Sequence, residues 1–182
     1  MKVLDVIETC NKILDLNIAV ADISSGKAEP CDKTVRLISC CNDVLEELYC
    51  DYPSHVRKTV AEADNDGFIA TSQYRMHRVL SLCDGEGVKV PYRYTQGGLL
   101  VAKGGKYNLT YARLPQTVGL RDSLEMPSPA VTDRIFVYGV LREYCLQTGD
   151  FTSSAVWQDK FSTAMTAAIR QDSTVMPARR WL

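Results

Sequence analysis

The sequence predicts an α+β protein: a small helical bundle, made of two N-terminal helices and a C-terminal helical hairpin, with an inserted antiparallel β meander. Apolar residues recur at helical spacing near both ends of the chain. Between them the period changes to two, and glycine pairs separate short runs. A chain of 182 residues, 46% hydrophobic and 24% charged, is typical of one globular domain. The predicted divisions are residues 1–54, 55–128, 129–171 and 172–182.

The first two helices are predicted on either side of an irregular segment. Residues 3–16 repeat apolar side chains at helical spacing: Val3, Ile7, Cys10 and Leu14. Residues 17–31 contain Pro30 and a Ser-Ser-Gly run, which favour irregular structure. Asp32 is a suitable N-cap for a second helix that ends near Tyr49. The predicted apolar face of that helix holds Val35, Leu37, Ile38, Cys41, Leu45, Leu48 and Tyr49.

The middle of the chain, residues 55–114, shows the alternation of half-buried strands. Val56, Lys58 and Val60 alternate with their neighbours, and an Asn-Asp-Gly turn signal ends at Gly67. Similar runs later in the segment predict four to six short strands in a meander. Residues 115–128 would form a long connection, and connections of this length often have a binding role.

A helical hairpin is predicted over residues 129–171. Its first arm repeats apolar or aromatic residues at helical spacing: Val131, Ile135, Tyr138, Leu141 and Cys145. Its second arm does the same: Phe151, Ala155, Trp157, Phe161, Ala164, Met165 and Ala168. Between the arms, Gly149 suits the left-handed residue that ends a helix, and Asp150 can cap the next one.

This hairpin resembles the C-terminal helical pair of head-to-tail connector proteins of tailed bacteriophages, the adaptor or head-completion proteins docked beneath the portal ring. In that family an acidic residue and aromatics open the first arm, and a Gly-Asp turn precedes an Ala and a Trp or Tyr in the second. The matching positions are Asp133, Tyr138, Tyr144, Gly149, Asp150, Ala155 and Trp157. The β-rich middle resembles an insertion that some short-tailed phage connectors carry between their helices.

The resemblance implies a non-enzymatic structural virion protein. Its copies would form a ring, usually a dodecamer, that joins the portal to the tail and lets double-stranded genomic DNA pass through its channel. The implied partners are other copies of the chain, the portal protein and a tail or tail-nozzle protein. The implied location is the neck between capsid and tail, after assembly in the host bacterial cytoplasm. The meander and residues 115–128 would face the tail or adjacent subunits.

The C-terminal residues Arg179, Arg180, Trp181 and Leu182 are the predicted partner-binding residues, for the portal or a neighbouring subunit. Two arginine guanidinium groups beside a tryptophan are typical of interface hot spots. The alternative interpretation is a disordered tail. The tyrosines of the middle segment leave a similar choice between a stacking platform for single-stranded nucleic acid and sheet packing, which we favour. These tyrosines are Tyr92, Tyr94, Tyr107 and Tyr111.

Charge and hydropathy narrow the function classes. A net charge of -1 and a pI near 6.1 argue against a protein whose whole surface binds DNA. No apolar run approaches membrane-spanning length, so no membrane partner is predicted. Asp5 and Glu8 argue against a secretory signal.

Cysteine and histidine patterns predict no metal, no cofactor and no catalytic residue. The seven cysteines include no C-x-x-C pair and favour free buried thiols in a reducing cytosol. His55 and His77 lack a metal-binding spacing. Gly104 and Gly105 precede a lysine but lack the spacing of a phosphate loop, so they predict a turn. Two alternative functions stay open: a protein-binding adaptor module with no viral role, and a small cysteine-dependent enzyme.

Overall fold

The computed structural model describes residues 1–51 and 56–173, with side chains up to Arg170. Helices and two small antiparallel sheets confirm the predicted α+β class. The helices are α1 (Val3–Leu14), α2 (Val20–Ser24), α3 (Asp32–Asp51), α4 (Asp133–Gln147) and α5 (Phe151–Ser173). The strands are β1 (Val56–Ala63), β2 (Phe68–Ala70), β3 (Met76–Cys83), β4 (Arg93–Thr95), β5 (Gly98–Leu100) and β6 (Gly105–Arg113).

The chain divides into two compact units. The helical unit comprises Met1–Glu47 and the chain from Thr117 onward, and the sheet unit comprises Leu48–Gln116. The first division therefore falls inside α3. The helical unit is discontinuous in sequence because the sheet unit is inserted between α3 and α4.

Helix α4 lies at the centre of the helical unit and is buried around most of its circumference. Its neighbour α5 buries a single stripe whose members are spaced three, four or seven residues apart: Ser154, Phe161, Met165 and Ala168. Gly139 of α4 allows the close approach of both neighbours, because a Cβ there would lie 2.8 Å from Cγ1 of Val44 on α3 and 3.1 Å from the Phe161 ring. The two helices of the predicted hairpin are thus confirmed.

Several helical details differ from the sequence prediction. Val35 is 57% exposed, because α3 turns the face of Leu37, Cys40 and Val44 inward. On α5, Phe151 is 69% exposed and Ala155 is also exposed, so only part of the predicted apolar face packs. Helix α2 occupies part of the segment predicted to be irregular. Helix α5 continues to Ser173, which is two residues into the predicted tail.

The connection that precedes α4 is pinned to the helical unit by hydrogen bonds. The Asn42 side chain on α3 donates to the Val118 carbonyl oxygen at 3.0 Å and accepts from the Val118 N–H at 2.8 Å. The N–H of Leu124 donates to the carbonyl oxygen of Met1 at 2.9 Å, and the N–H of Val3 to that of Asp122 at 3.1 Å. These bonds satisfy backbone groups that an irregular segment would otherwise leave unpaired, so they order it.

The strands of the sheet unit pair in a nested order instead of a simple meander. One sheet has the order β1-β6-β3 and the other has the order β2-β5-β4. Strand β6 lies between its partners, with Val56 opposite Ala112 on one side and Val79 opposite Tyr111 on the other. The unit's hydrophobic core includes Ile69, Leu82, Leu99 and Leu109 from both sheets. Period-two alternation in the sequence indicates which side chains share one face of a sheet, but it does not indicate which strands pair. The prediction of a simple meander was therefore wrong in its strand order.

Two predicted turns bring backbone segments close together. Gly67 has φ +81°, and a Cβ there would lie 2.1 Å from the carbonyl oxygen of Val101, so only glycine fits. The Asp64 carboxylate accepts the N–H of Phe68 at 2.8 Å in the same turn. A Cβ at Gly104 would lie 2.3 Å from the Asp64 carbonyl oxygen. Gly105 is the first residue of β6 and pairs with Ala63 of β1, so the chain bends just before the glycine pair and the predicted turn position is wrong by about two residues.

Candidate interaction surface on the helical hairpin

Four side chains of the hairpin form a cation–aromatic ladder, defined as Arg134, Tyr138, Trp157 and Lys160. The Tyr138 and Trp157 rings contact each other, with centroids 5.7 Å apart. The Arg134 guanidinium lies 5.4 Å from the Tyr138 ring centroid, and its Nε donates to the Tyr138 hydroxyl at 2.5 Å. Nζ of Lys160 lies 4.2 Å from the Trp157 centroid. The two contacting rings lie in the middle of the ladder, and one cation lies over each ring.

Helix geometry explains how the ladder forms. Arg134 and Tyr138 are four residues apart on α4, while Trp157 and Lys160 are three apart on α5, so each pair shares a helix face. The Thr132 side chain caps α4 by accepting the N–H of Ile135. Gly149, at φ +81°, turns the chain between the two helices.

Asp150 begins the second helix of the hairpin. Its carboxylate accepts the N–H of Ser153 at 3.0 Å, which satisfies one backbone donor of the first turn of α5. Hydrogen bonding by Ser153 also holds the Asp150 pKa below its ordinary value. The two caps and the turn fix where α4 and α5 begin, and therefore which faces meet.

A hairpin groove of about 570 Å³ runs between α4 and α5 beside the ladder. Arg134, Tyr138 and Lys160 line it together with residues that are mainly small or apolar: Ala130, Thr132, Ile135, Thr163, Ala164, Ala167 and Ala168. Asp159 is the acidic member of the lining. A second groove of about 450 Å³ between α1 and α4 shares Arg134 and Tyr138 with the first. These two side chains therefore form a ridge between two concave surfaces.

The ladder cations differ sharply in environment from Arg142, which lies about two turns beyond Arg134 on α4. Arg142 donates to Glu47 on α3, to Glu143 at 2.6 Å and to the Gln158 side-chain oxygen at 3.0 Å. Its guanidinium also lies 4.9 Å from the Phe161 ring centroid. Desolvation lowers the pKa of Arg142, but hydrogen bonds and charge from Glu47 and Glu143 outweigh it, so the pKa is raised above its usual value. Arg142 therefore forms a structural ion cluster with Glu47 and Glu143 inside the helical unit.

The residues that carry the family resemblance have different positions in the hairpin. Tyr138 and Trp157 come together in the ladder, and Gly149 and Asp150 form the turn. Asp133 and Ala155 are exposed, whereas Tyr144 is buried. The predicted partner-binding residues, Arg179, Arg180, Trp181 and Leu182, lie outside the described residues. Sequence reasoning missed Arg134 and Lys160, although their spacing from the aromatic residues was a usable signal.

The tyrosines of the sheet unit act mainly in packing. Tyr107 and Tyr111 are buried in the core and Tyr92 packs against it. Tyr94 remains largely exposed, and its hydroxyl accepts the N–H of Val79 at 3.0 Å. Because Tyr107 and Tyr111 are turned into the core, the structure does not bring the four rings together as a stacking surface.

One thiol–imidazole contact was not foreseen. Sγ of Cys50 lies 3.5 Å from Nδ1 of His77 in the sheet unit. A cysteine nucleophile also needs a group that orients the histidine. Within residues 1–51 and 56–173, no carboxylate pairs with His77.

The remaining cysteines differ in burial and in the ease of forming a thiolate. Desolvation by burial raises the pKa of Cys10 and of Cys40 to about 12 and that of Cys41 well above its ordinary value. Cys31 is exposed, and a side-chain hydrogen bond with Thr34 lowers its pKa. The thiolate is the nucleophilic form, so these environments set reactivity.

We expect a mild alkylating reagent at neutral pH to modify Cys31 before the buried thiols of Cys10, Cys40, Cys41 and Cys145, which should react only as fast as the helical unit opens. Peptide mapping by mass spectrometry over a time course measures each rate, and the denatured protein provides the control. Equal rates for Cys10 and Cys31 in the folded protein would contradict the structure. Fastest labelling of Cys50 would favour the cysteine-dependent enzyme.

In the described ranges, no three or more His, Cys, Asp or Glu residues are grouped as metal ligands. Across those ranges, no helix combines the length and apolar character needed to cross a bilayer. Comparison with protein-family models and with curated proteins finds no match.

Proposed function

We propose that this protein is a head-to-tail connector of a tailed bacteriophage, a structural virion protein whose copies form a ring between portal and tail. The observation that carries the proposal is the contact between Tyr138 and Trp157. These two residues are among the positions that carry the resemblance to the connector family, and they meet across the hairpin. Gly149 and Asp150, which also carry the resemblance, supply the turn that makes this contact possible.

The proposed role is mechanical, without catalysis or a cofactor. Each copy would present one patch to one neighbour and a complementary patch to the other, a heterologous contact that closes into a ring when the rotation permits. The net charge of -1 suits a channel that lets double-stranded DNA slide without strong attachment. The proposed partners are the portal protein, a tail or tail-nozzle protein and further copies, in the neck of the virion.

The test is recruitment by the portal protein encoded in the same genome. Light scattering and electron microscopy of the chain, alone and mixed with portal, should show a ring or a portal-bound assembly. Deleting residues 178–182 should abolish recruitment if the predicted partner-binding residues contact the portal. Loss of recruitment on deletion assigns that role to the tail, whereas a monomer that ignores portal and every other virion protein contradicts the proposal.

The second candidate is a protein-binding adaptor with no viral role. The exposed cations and half-buried rings of the ladder favour it as well, because arginine and aromatic residues are enriched in protein interfaces. The same mixing experiment separates the two candidates. A module of this kind would neither form rings nor respond to portal.

A further inference from the structure

We propose that the hairpin groove is a docking site for an acidic, partly apolar segment of a partner protein. An apolar side chain of that segment would sit against the small residues of α5. Its carboxylates would pair with Arg134 and Lys160. This goes beyond the proposed function because it specifies the chemistry of the occupant, whichever protein supplies it.

The shape of the groove fits peptide side chains. Its volume of about 570 Å³ lies within the range of about 300 to 1,000 Å³ in which protein clefts bind small ligands. The α5 wall is low because Ala164, Ala167 and Ala168 project only a methyl group each. Ile135 and the Tyr138 ring supply the opposite apolar wall on α4. A partner side chain can therefore bury apolar surface on both helices.

The charges at the groove select for carboxylates. Among the described residues, no acidic side chain forms an ion pair with Arg134 or Lys160. Asp159 also lines the groove, so two positive charges face one negative charge. Arg142 shows the contrast, since its guanidinium already contacts two glutamates. The ladder cations retain donors for a partner.

The aromatic rings of the ladder restrict the side chains of Arg134 and Lys160 before a partner binds. Each cation lies over an aromatic face, which restricts its side chain before any partner arrives. Less side-chain entropy is then lost on binding than for a free surface lysine or arginine. Duplex nucleic acid is a poorer occupant, because it needs a row of cations to replace counterions and gains nothing from the alanine wall.

The first experiment measures binding of synthetic probes to the full chain. Two fluorescein-labelled peptides of equal length are used, one alternating Glu and Leu and one alternating Lys and Leu, with a short DNA duplex as a third probe. The Glu-Leu peptide should bind saturably by anisotropy and bind at least about tenfold more tightly than the Lys-Leu peptide. In a Trp181→Phe background, emission from Trp157 should change as it binds.

Charge reversal locates the site. Arg134→Glu combined with Lys160→Glu should weaken Glu-Leu binding by at least about tenfold. Arg57→Glu combined with Lys58→Glu changes net charge equally on exposed residues of β1 and is the matched control, with circular dichroism to verify folding. Equal binding of both peptides, equal effects of the two variants, or binding of the DNA duplex alone would overturn the inference.

The outcomes are separable from those of the portal experiment. A chain that binds the Glu-Leu peptide at the ladder but ignores the portal contradicts the proposed function alone. A chain that the portal recruits, with no preference for the acidic peptide, contradicts the docking inference alone.

Discussion

Replacing Arg142 with alanine should lower the free energy of unfolding by about 3 kcal/mol. The substitution leaves Glu47 and Glu143 facing each other in a partly buried cluster without their cation. Removing one partner of a buried ion pair costs about 3 to 5 kcal/mol. The lower end applies because the Glu47 side chain is 36% exposed and can be partly rehydrated. Urea denaturation followed by circular dichroism measures the change.

A surface pair in the same helical unit provides the control. Lys12 and Glu8 form an ion pair at 2.7 Å on α1, with both side chains largely exposed. Lys12→Ala should change stability by less than about 1 kcal/mol, because such pairs are solvated and screened. A similarly small effect of Arg142→Ala would show that the cluster does not hold α3, α4 and α5 together.

Replacing Gly139 with leucine should destabilise the helical unit by about 3 kcal/mol or more. A Cβ at this position already lies 2.8 Å from Val44 and 3.1 Å from Phe161, so a larger side chain must push α3 or α5 away from α4. Displacing α5 would also separate Tyr138 from Trp157. The measurement is thermal unfolding, with emission from Trp157 in the Trp181→Phe background reporting on the ladder.

Two further variants provide comparisons for the destabilisation expected of Gly139→Leu. Gly139→Ala gains about 1 kcal/mol of helix propensity but must displace a Val44 methyl group, so its net effect should be far smaller than that of leucine. Gly85→Leu is the matched surface control, since a Cβ there meets nothing within 4 Å. Indistinguishable melting of the Gly139→Leu and Gly85→Leu proteins would refute the packing described for α4.

The helices were largely predictable because their signals are local. Val3, Ile7 and Cys10 are buried as their spacing indicates, and Gly149 and Asp150 end and begin helices where expected. Spacing alone does not choose between overlapping faces of one helix. On α3 two apolar faces overlap, and the burial of Leu37 and Val44 leaves Val35 outside.

The order of the strands was not predictable by the same means. Val56 pairs with Ala112 across more than fifty residues of intervening chain, and period-two alternation carries no information about such a partner. The two bulges in β3 shift its register against β6, and they too leave no clear sequence signal. The sequence therefore predicted that the strands are antiparallel and roughly where the chain turns, but it did not predict the order in which the strands pair.

Two of the four ladder residues could be identified from the sequence. Tyr138 and Trp157 were singled out through the family resemblance, but their contact depends on how α4 crosses α5. That crossing is set by the small surface of Gly139 and the stripe of α5 around Phe161. The buried arginine of the ion cluster was also beyond sequence reasoning, because a charged residue among apolar neighbours predicts exposure until its partners are known.

The insertion of the sheet unit imposes an order of events on a growing chain. Helices α1 and α3 share a core with α4, and roughly 100 residues separate Glu47 from the end of that helix at Gln147. At about 5 to 20 residues per second, a ribosome needs about 5 to 20 s to supply α4 after the first half of the core has emerged. During that interval Val3, Ile7 and Leu37 have no permanent cover, so the nascent protein is most vulnerable to aggregation before its hairpin exists.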